Sequence, residues 1–161
     1  FGEFGVRGVG YTVKELQRHL REILGLDRAV RVAIVGAGNL GMALADYTGF
    51  HQEGFVIVGL FDTAKAKVGK TSRGGVKIYD MADFPALVRK ERIAIVLLAV
   101  PGAAAQKVLD ETVRVGVRAV LNFSPGSLKV PAGVKVKHLD VTTQMASLSF
   151  FLARGESHGD A

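Results

Sequence analysis

Short apolar runs alternate with amphipathic stretches along most of the chain. Val30-Arg31-Val32-Ala33-Ile34-Val35 is β-branched and apolar and reads as a buried strand. Asn39 to Tyr47 reads as a helix, and Phe55 to Phe61 as a second apolar strand ending at Asp62. A polar loop through Gly74-Gly75 leads into a strand at Val76 to Tyr79, then a short helix from Ala82 to Glu91 with Leu87 and Val88 turned inward. Ala94 to Val100 is the next buried strand, broken by Pro101-Gly102. Ala103 to Val115 follows as a helix stopped by Gly116. Arg118 to Phe123 is a strand closed by Ser124-Pro125-Gly126, and Val134 to Leu139 alternates as a strand finished by Asp140. Ahead of this series, Thr12-Val13-Lys14-Glu15 is a capping box. It opens a helix with Leu16, Leu20, Ile23 and Leu24 at helical spacing and Gly25 as its stop. The alternation predicts an α/β fold with a doubly wound parallel sheet, whose ligands sit outside the carboxyl ends of the strands.

The turn between the first strand and its helix carries the chemistry. Gly36-Ala37-Gly38-Asn39-Leu40-Gly41 is a GxGxxG sequence in a strand–turn–helix–strand context, and Asp62 lies 21 residues beyond Gly41. That context is what a dinucleotide fingerprint requires. Gly36 permits the tight turn, Gly38 lets the backbone approach a pyrophosphate, and Gly41 lets the helix pack closely on the sheet. The unpaired N–H groups of the first helical turn make an anion site, and the Asp62 carboxylate accepts from ribose hydroxyls. The same carboxylate repels the 2′-phosphate of NADP. Thr63 follows it rather than Arg, although Lys65 and Lys67 lie nearby, so the expected ligand is NAD or NADH.

The rule of strand tips nominates further residues around one crevice: Val100-Pro101, Asn122-Phe123-Ser124 and Asp140. Phe123 offers a ring to flank a base and Asn122 an amide for a carboxamide. Turn chemistry explains Asn122 and Ser124 equally well. The last helix, Thr142 to Ala153, carries Met145, Leu148, Phe150, Phe151 and Leu152 on more than one side. It is expected to bury against something beyond its own sheet, a second subunit in preference to its own monomer.

With 161 residues the expectation is one domain with a substantial core, and 48% hydrophobic with 22% charged residues is ordinary globular composition. No apolar run approaches the ~20 residues of a membrane span. Zero cysteines exclude a disulfide framework, a thiolate metal site and a cysteine nucleophile, which fits a cytoplasmic protein. The net charge of +6 is concentrated in two acid-free stretches, Thr63 to Tyr79 and Thr112 to Leu139. Neither is interleaved with aromatics, so they read as solvated faces rather than a nucleic-acid reader. His19, His51, His138 and His158 are not paired in any catalytic arrangement, and only His138 falls beside the predicted crevice. No HExxH or GxSxG sequence is present, and the chain has no second domain to hold a substrate over a nicotinamide. The expectation is a cofactor-binding protein that is not an enzyme. A small NAD-dependent oxidoreductase and a CoA-binding domain stand as the alternatives, Asp62 opposing the second by repelling a ribose 3′-phosphate.

Taken in order, several further segments give the chain a strong resemblance to the Rex family of bacterial redox-sensing transcriptional repressors. They are Phe1 to Tyr11, Ile23 to Arg28, Gly36–Gly41, Phe61-Asp62, Gly74-Gly75-Val76, Val100-Pro101, Ala104-Ala105-Gln106, Leu121 to Pro125, His138-Leu139-Asp140 and Phe150-Phe151-Leu152. The resemblance implies a Rossmann domain that binds NADH or NAD, a homodimer with an exchanged C-terminal helix, and an N-terminal winged-helix domain that binds operator DNA. It implies that NADH binding moves the winged helices and releases the DNA. The glycine-rich opening without an initiator Met then reads as a connection from a winged-helix domain that precedes Phe1. The expected organisation is linker and helix over 1–28, dinucleotide-binding domain over 29–141, dimerisation helix over 142–153 and a polar, disordered tail over 154–161. Tyr47, on the fingerprint helix, and Asp140, from the partner subunit, match family positions linked to the redox response. Val141 stands where some members carry Phe, and Asn39 in a slot held by Arg in some members and Asn in others.

Overall fold

A computed structural model describes residue 10 and residues 12–25 and 28–156. The glycine-rich opening over 1–9 and the tail beyond 156, with His158, lie outside the described residues. The helix α1 runs Val13–Ile23, and its capping box forms as the sequence predicts. The Thr12 hydroxyl accepts from Glu15 N–H at 3.3 Å, and the Glu15 carboxylate accepts from Thr12 N–H at 3.0 Å. Its apolar residues Leu16, Leu20 and Ile23 are exposed.

Six parallel strands follow: β1 (Val30–Val35), β2 (Phe55–Asp62), β3 (Ile78–Asp80), β4 (Ile95–Leu98), β5 (Ala119–Asn122) and β6 (Lys135–His138). They lie in the order β3-β2-β1-β4-β5-β6, so the order reverses beside β1. This is the doubly wound sheet the alternation predicts, with its switch point at the C-terminal end of β1. Ile34 pairs in register with Leu60 on one side and Leu97 on the other, and all three are buried. A central parallel strand covered on both faces needs this continuous apolar run.

Each face has its own core. On one, α4 (Phe84–Lys90) and α5 (Gly102–Arg114) cover Ala33, Val35, Val96 and Leu98 through Phe84, Val88 and Leu109. Phe84 meets Phe61 edge-on with ring centres 5.0 Å apart. On the other, α2 (Asn39–Ala45) and α3 (Thr48–Gln52) pack on Val32, Ile34 and Leu60 through Ala45, Met42 and Phe50. That second face is incompletely covered. The link from β5 to β6 carries no helix, and an apolar groove of about 370 Å³ remains over Val32, Ile57, Ile95, Leu97 and Leu121, edged by Lys135 and Lys137.

Several expectations need correction. The helix expected over Asn39 to Tyr47 ends at Ala45, and Tyr47 is the N-cap residue of α3, which also contains His51. Asp46 causes the break: its carboxylate accepts from Ser72 Oγ at 2.5 Å and from Gly74 N–H at 3.0 Å, tethering the β2–β3 loop to the end of α2. Val76 lies ahead of β3, its N–H held by Ser72 Oγ. The helix expected from Ala82 to Glu91 divides into a 3-10 turn at Met81–Asp83 and α4. The last helix, α6, runs Val141–Glu156, longer at both ends than expected, and exposes Met145, Leu148, Phe150, Phe151 and Leu152.

Phe84 is 1% exposed at the junction of α4 and the sheet. Phe84→Ala should cost about 3–5 kcal/mol of unfolding free energy by urea denaturation, the range for emptying a buried aromatic site. A loss under 1 kcal/mol would mean that α4 does not pack as described.

Candidate functional site

The carboxyl ends of β1, β2 and β4 open onto one cleft of about 410 Å³. Gly36 and Gly38 form one wall, Asp62, Thr63 and Lys67 a second, and Val100, Pro101 and Ala104 a third. The volume falls within the ~300–1,000 Å³ typical of small-molecule sites.

The three fingerprint glycines have separable roles. Gly36 holds φ +106°, and a Cβ there would stand 2.2 Å from the Ala99 carbonyl oxygen, so only glycine carries the chain out of β1 beside β4. A Cβ on Gly41 would stand 1.8 Å from the Gly36 carbonyl oxygen. Gly38 differs: its backbone is extended, with φ −80° and ψ −170°, and a Cβ on it would meet nothing within 4 Å. Nothing in the protein itself requires glycine at Gly38. The free space opens onto the cleft, where a ligand approaching the backbone of the turn needs it. This is the fit expected of a pyrophosphate at the start of a crossover helix.

Asp62 ties the turn to the neighbouring strand. Its Oδ2 accepts from Ala37 N–H at 2.9 Å, and its Oδ1 from Ala64 N–H at 2.8 Å. Lys67 Nζ lies 3.7 Å from Oδ2. Burial pushes the Asp62 carboxyl up, but the Ala64 and Ala37 amides, with Lys67 and Thr63 N–H, outweigh it and hold it below its ordinary value. The group therefore presents a carboxylate to the cleft. Each oxygen still has lone-pair capacity for a ribose hydroxyl.

Not every nominated residue lines this cleft. Ala37 and Gly41 are buried in the turn, and Asn39 and Leu40 are exposed beyond it. Asn122 is 1% exposed, and its side chain is used internally. Its Oδ1 accepts from Ser124 N–H at 2.9 Å, and its Nδ2 donates to the Ser124 carbonyl at 3.1 Å and faces His138 Nδ1 at 3.2 Å. Ser124 Oγ accepts from Val100 N–H at 3.3 Å. This pair builds the turn that holds the tips of β4 and β5 together, and Phe123 packs partly buried against the second core. Tyr47 is 60% exposed, its ring edge-on to Phe50 and lying over Gly49, where a Cβ would stand 2.5 Å from it. Asp140 opens α6: it accepts from Thr142 N–H, Thr143 N–H and the Thr143 hydroxyl, the last at 2.7 Å. The Thr143 hydroxyl and amide hold its carboxyl below the ordinary value. Sequence reasoning missed Ala104, Val108 and Met81 as lining residues. The rule of strand tips names the loops but not the opening turns of the helical elements after them, which reach back over the cleft.

Comparison with known proteins bears on this site. A family model described as a CoA binding domain matches residues 27–126. The redox-sensing transcriptional repressor Rex of Pelotomaculum thermopropionicum is 43% identical over 157 residues, 98% of this chain and 73% of that protein. The chain belongs to the Rex family. Among solved structures, the Rex-family repressor RSP in complex with β-NAD+ and operator DNA superposes with a TM-score of 0.84 at 37% identity. It covers 96% of this chain and 71% of that one. RSP in complex with β-NADH gives a TM-score of 0.79 at 37% identity, over 93% of this chain and 72% of that one. These Rex relatives are named as transcriptional repressors rather than enzymes, and RSP shares the fold described above. Among the described residues no helix is long and apolar enough to cross a membrane.

Two outcomes test the site. Gly41→Ala should destabilise the chain strongly while Gly38→Ala should unfold like the parent in urea; equal losses would contradict the separate roles of the two glycines. Asp62 and Asp140 both have depressed values in the fold, so their stabilisation is present above the unfolded value of 3.8 and is lost as pH falls through the lower folded values. Stability measured against pH should therefore drop on the acid side, and Asp62→Asn should make that drop shallower. An unchanged acid limb would mean the Ala37 and Ala64 hydrogen bonds are not made.

Proposed function

We propose that this chain is the NADH- and NAD-sensing, dimer-forming core of a redox-responsive transcriptional repressor, in which NADH binding releases operator DNA. The observation that carries the cofactor reading is the open space at Gly38 beside the ionised Asp62 in one cleft. RSP, its solved relative, is complexed with NAD+ in one structure and NADH in another. The residues that would hold the coenzyme are the turn Gly36 to Gly41 at the pyrophosphate and Asp62 at the adenosine ribose. Val100 and Pro101 flank it, and Asn122, Phe123 and Ser124 shape the nicotinamide end from behind the β4 and β5 tips. When bound, the coenzyme supplies no hydride chemistry here; its ring reports redox state by carrying a positive charge only when oxidised.

Dimerisation is assigned to α6, over 142–153. Five large apolar side chains on it are exposed, more than half of each. Exposed clusters of that kind are interface surfaces in soluble proteins. Tyr47, poised on Gly49, and Asp140, at the first turn of α6, are the residues proposed to pass the nicotinamide state to the dimer. The work of such a protein, reading a coenzyme pool and holding DNA, places it in the cytoplasm. CoA is the second ligand to consider, because the matching family model carries that name. The Asp62 carboxylate would repel the 3′-phosphate on its ribose.

Titration followed by NADH fluorescence should give saturable binding, with NAD⁺ binding at a different affinity and CoA failing to compete. Equal affinities for the two redox forms would remove the sensing function, since a ligand shifts an equilibrium only by its differential affinity. Asp62→Ala should weaken NADH by about 10- to 150-fold, the loss of one charged hydrogen-bonding group worth roughly 1.5–3 kcal/mol. Light scattering on a chain ending at Asp140 should report a monomer where the parent is a dimer; an unaltered mass would contradict the role given to α6.

A further inference from the structure

Two lysines follow Asp62 in the sequence, and the fold treats them differently. Lys65 is paired with the Asp80 carboxylate at the tip of β3 and does not line the cleft. Lys67 lines the cleft, its Nζ 3.7 Å from Asp62 Oδ2 and its side chain 44% exposed. The turn holds it there: Lys67 N–H donates to the Ala64 carbonyl at 2.9 Å, and Ala64 N–H donates to Asp62 Oδ1 at 2.8 Å. So one short turn, closed on Asp62 itself, delivers an ammonium group beside the ribose-binding carboxylate.

An ammonium group there has two effects on a dinucleotide. It places a donor beside the carboxylate, so a ribose with two free hydroxyls meets both an acceptor and a donor. It also offers a point charge of the kind that binds phosphate. While Asp62 is present, its charge and its position exclude a 2′-phosphate. Without that carboxylate the same lysine, with Thr63 alongside in the cleft wall, would face the 2′ position unopposed.

We propose that Lys67 is the specificity-determining partner of Asp62, clamping the adenosine ribose of NAD(H) together with it and holding a latent affinity for the 2′-phosphate of NADP(H) that Asp62 suppresses. The proposal rests on the cofactor reading given above and adds the residue that sets discrimination between the two coenzymes. Lys65, tied to Asp80, plays no part in it.

The test is a set of NADH and NADPH fluorescence titrations on the whole chain and four variants. The unaltered chain should prefer NADH. Lys67→Met should weaken NADH by about two- to tenfold, as expected for a half-exposed charged contact, and Lys67→Arg should restore most of the loss. Asp62→Asn should tighten NADPH at least about tenfold relative to the unaltered chain, and adding Lys67→Met to it should erase that gain. Circular dichroism melts check that each variant folds, which the exposure of Lys67 favours. Lys67→Met binding NADH as the parent does would overturn the proposal, as would an NADPH gain that survives in the double variant. If the unaltered chain binds neither dinucleotide, the cofactor reading itself fails and this inference with it.

Discussion

Between β1 and α2 the chain folds back so tightly that a single added methyl on Gly41 would stand 1.8 Å from the Gly36 carbonyl oxygen. This close approach sets the start of α2 directly over the end of β1. It brings Ala37 N–H within 2.9 Å of the carboxylate that ends β2, and Gly36 N–H within 2.8 Å of the Phe61 carbonyl. The two strand tips are thus stitched by a backbone bond and a carboxylate bond before any ligand arrives. Because the sheet order reverses beside β1, the ends of β1, β2 and β4 form one rim, and the cleft is the space that this reversal leaves. A ligand meets a site that is already shaped, so little ordering cost is left to be met on binding.

Much of this was legible in the residues because the constraint acts locally. A β-branched run, a glycine turn and a helix in that order specify β1 and α2 within a dozen residues, and Asp62 follows from the length of one crossover. What was not legible depended on contacts distant in sequence. Nothing near Asp46 stops a helix; the break there comes from Ser72 and Gly74, which reach the carboxylate from 26 and 28 residues away. Asn122 presents the same letter whether it serves a turn or a carboxamide, and only its burial beneath Ser124 shows which groups it meets. Lys65 and Lys67 are equivalent in a sequence reading, and Asp80, a residue of the next strand, separates them. The groove beside β4 and β5 escaped notice for another reason: it results from a helix that the β5–β6 link lacks, and a missing layer leaves no apolar signal in the link itself.

The distribution of apolar surface is unequal in a way that bears on assembly. The sheet's core is closed around Phe61, Phe84, Ile34 and Leu60, each under 2% exposed, while α6 holds Phe150 at 65% and Phe151 at 70%. An exposed phenylalanine forgoes most of the ~1.5–3 kcal/mol that burial of such a side chain supplies. Two adjacent ones, with Leu148, Leu152 and Met145 on the same sixteen-residue helix, represent stabilisation that α6 gains only against another surface. Asp140 gives that helix its first turn through Thr142 and Thr143. The residue that caps the apolar helix thus also lies two positions beyond the end of β6, at the sheet's edge.

On the proposed reading, that cap offers a physical route from coenzyme to assembly. Oxidation of the nicotinamide adds one positive charge, and a carboxylate at short range distinguishes the two forms by several times the thermal energy where water is partly excluded. In the switch proposed above, the oxygens of Asp140 are already engaged by Thr142 and Thr143, so a ring charge that drew on them would compete with the cap of α6. Tyr47, the other residue proposed for the switch, is largely exposed, with its ring over Gly49 and edge-on to Phe50. A side chain so lightly held can change place at small cost. On the proposed reading, an exposed ring and a capping carboxylate are where a single added charge would act, whereas a closed core such as that around Phe61 would absorb it without moving.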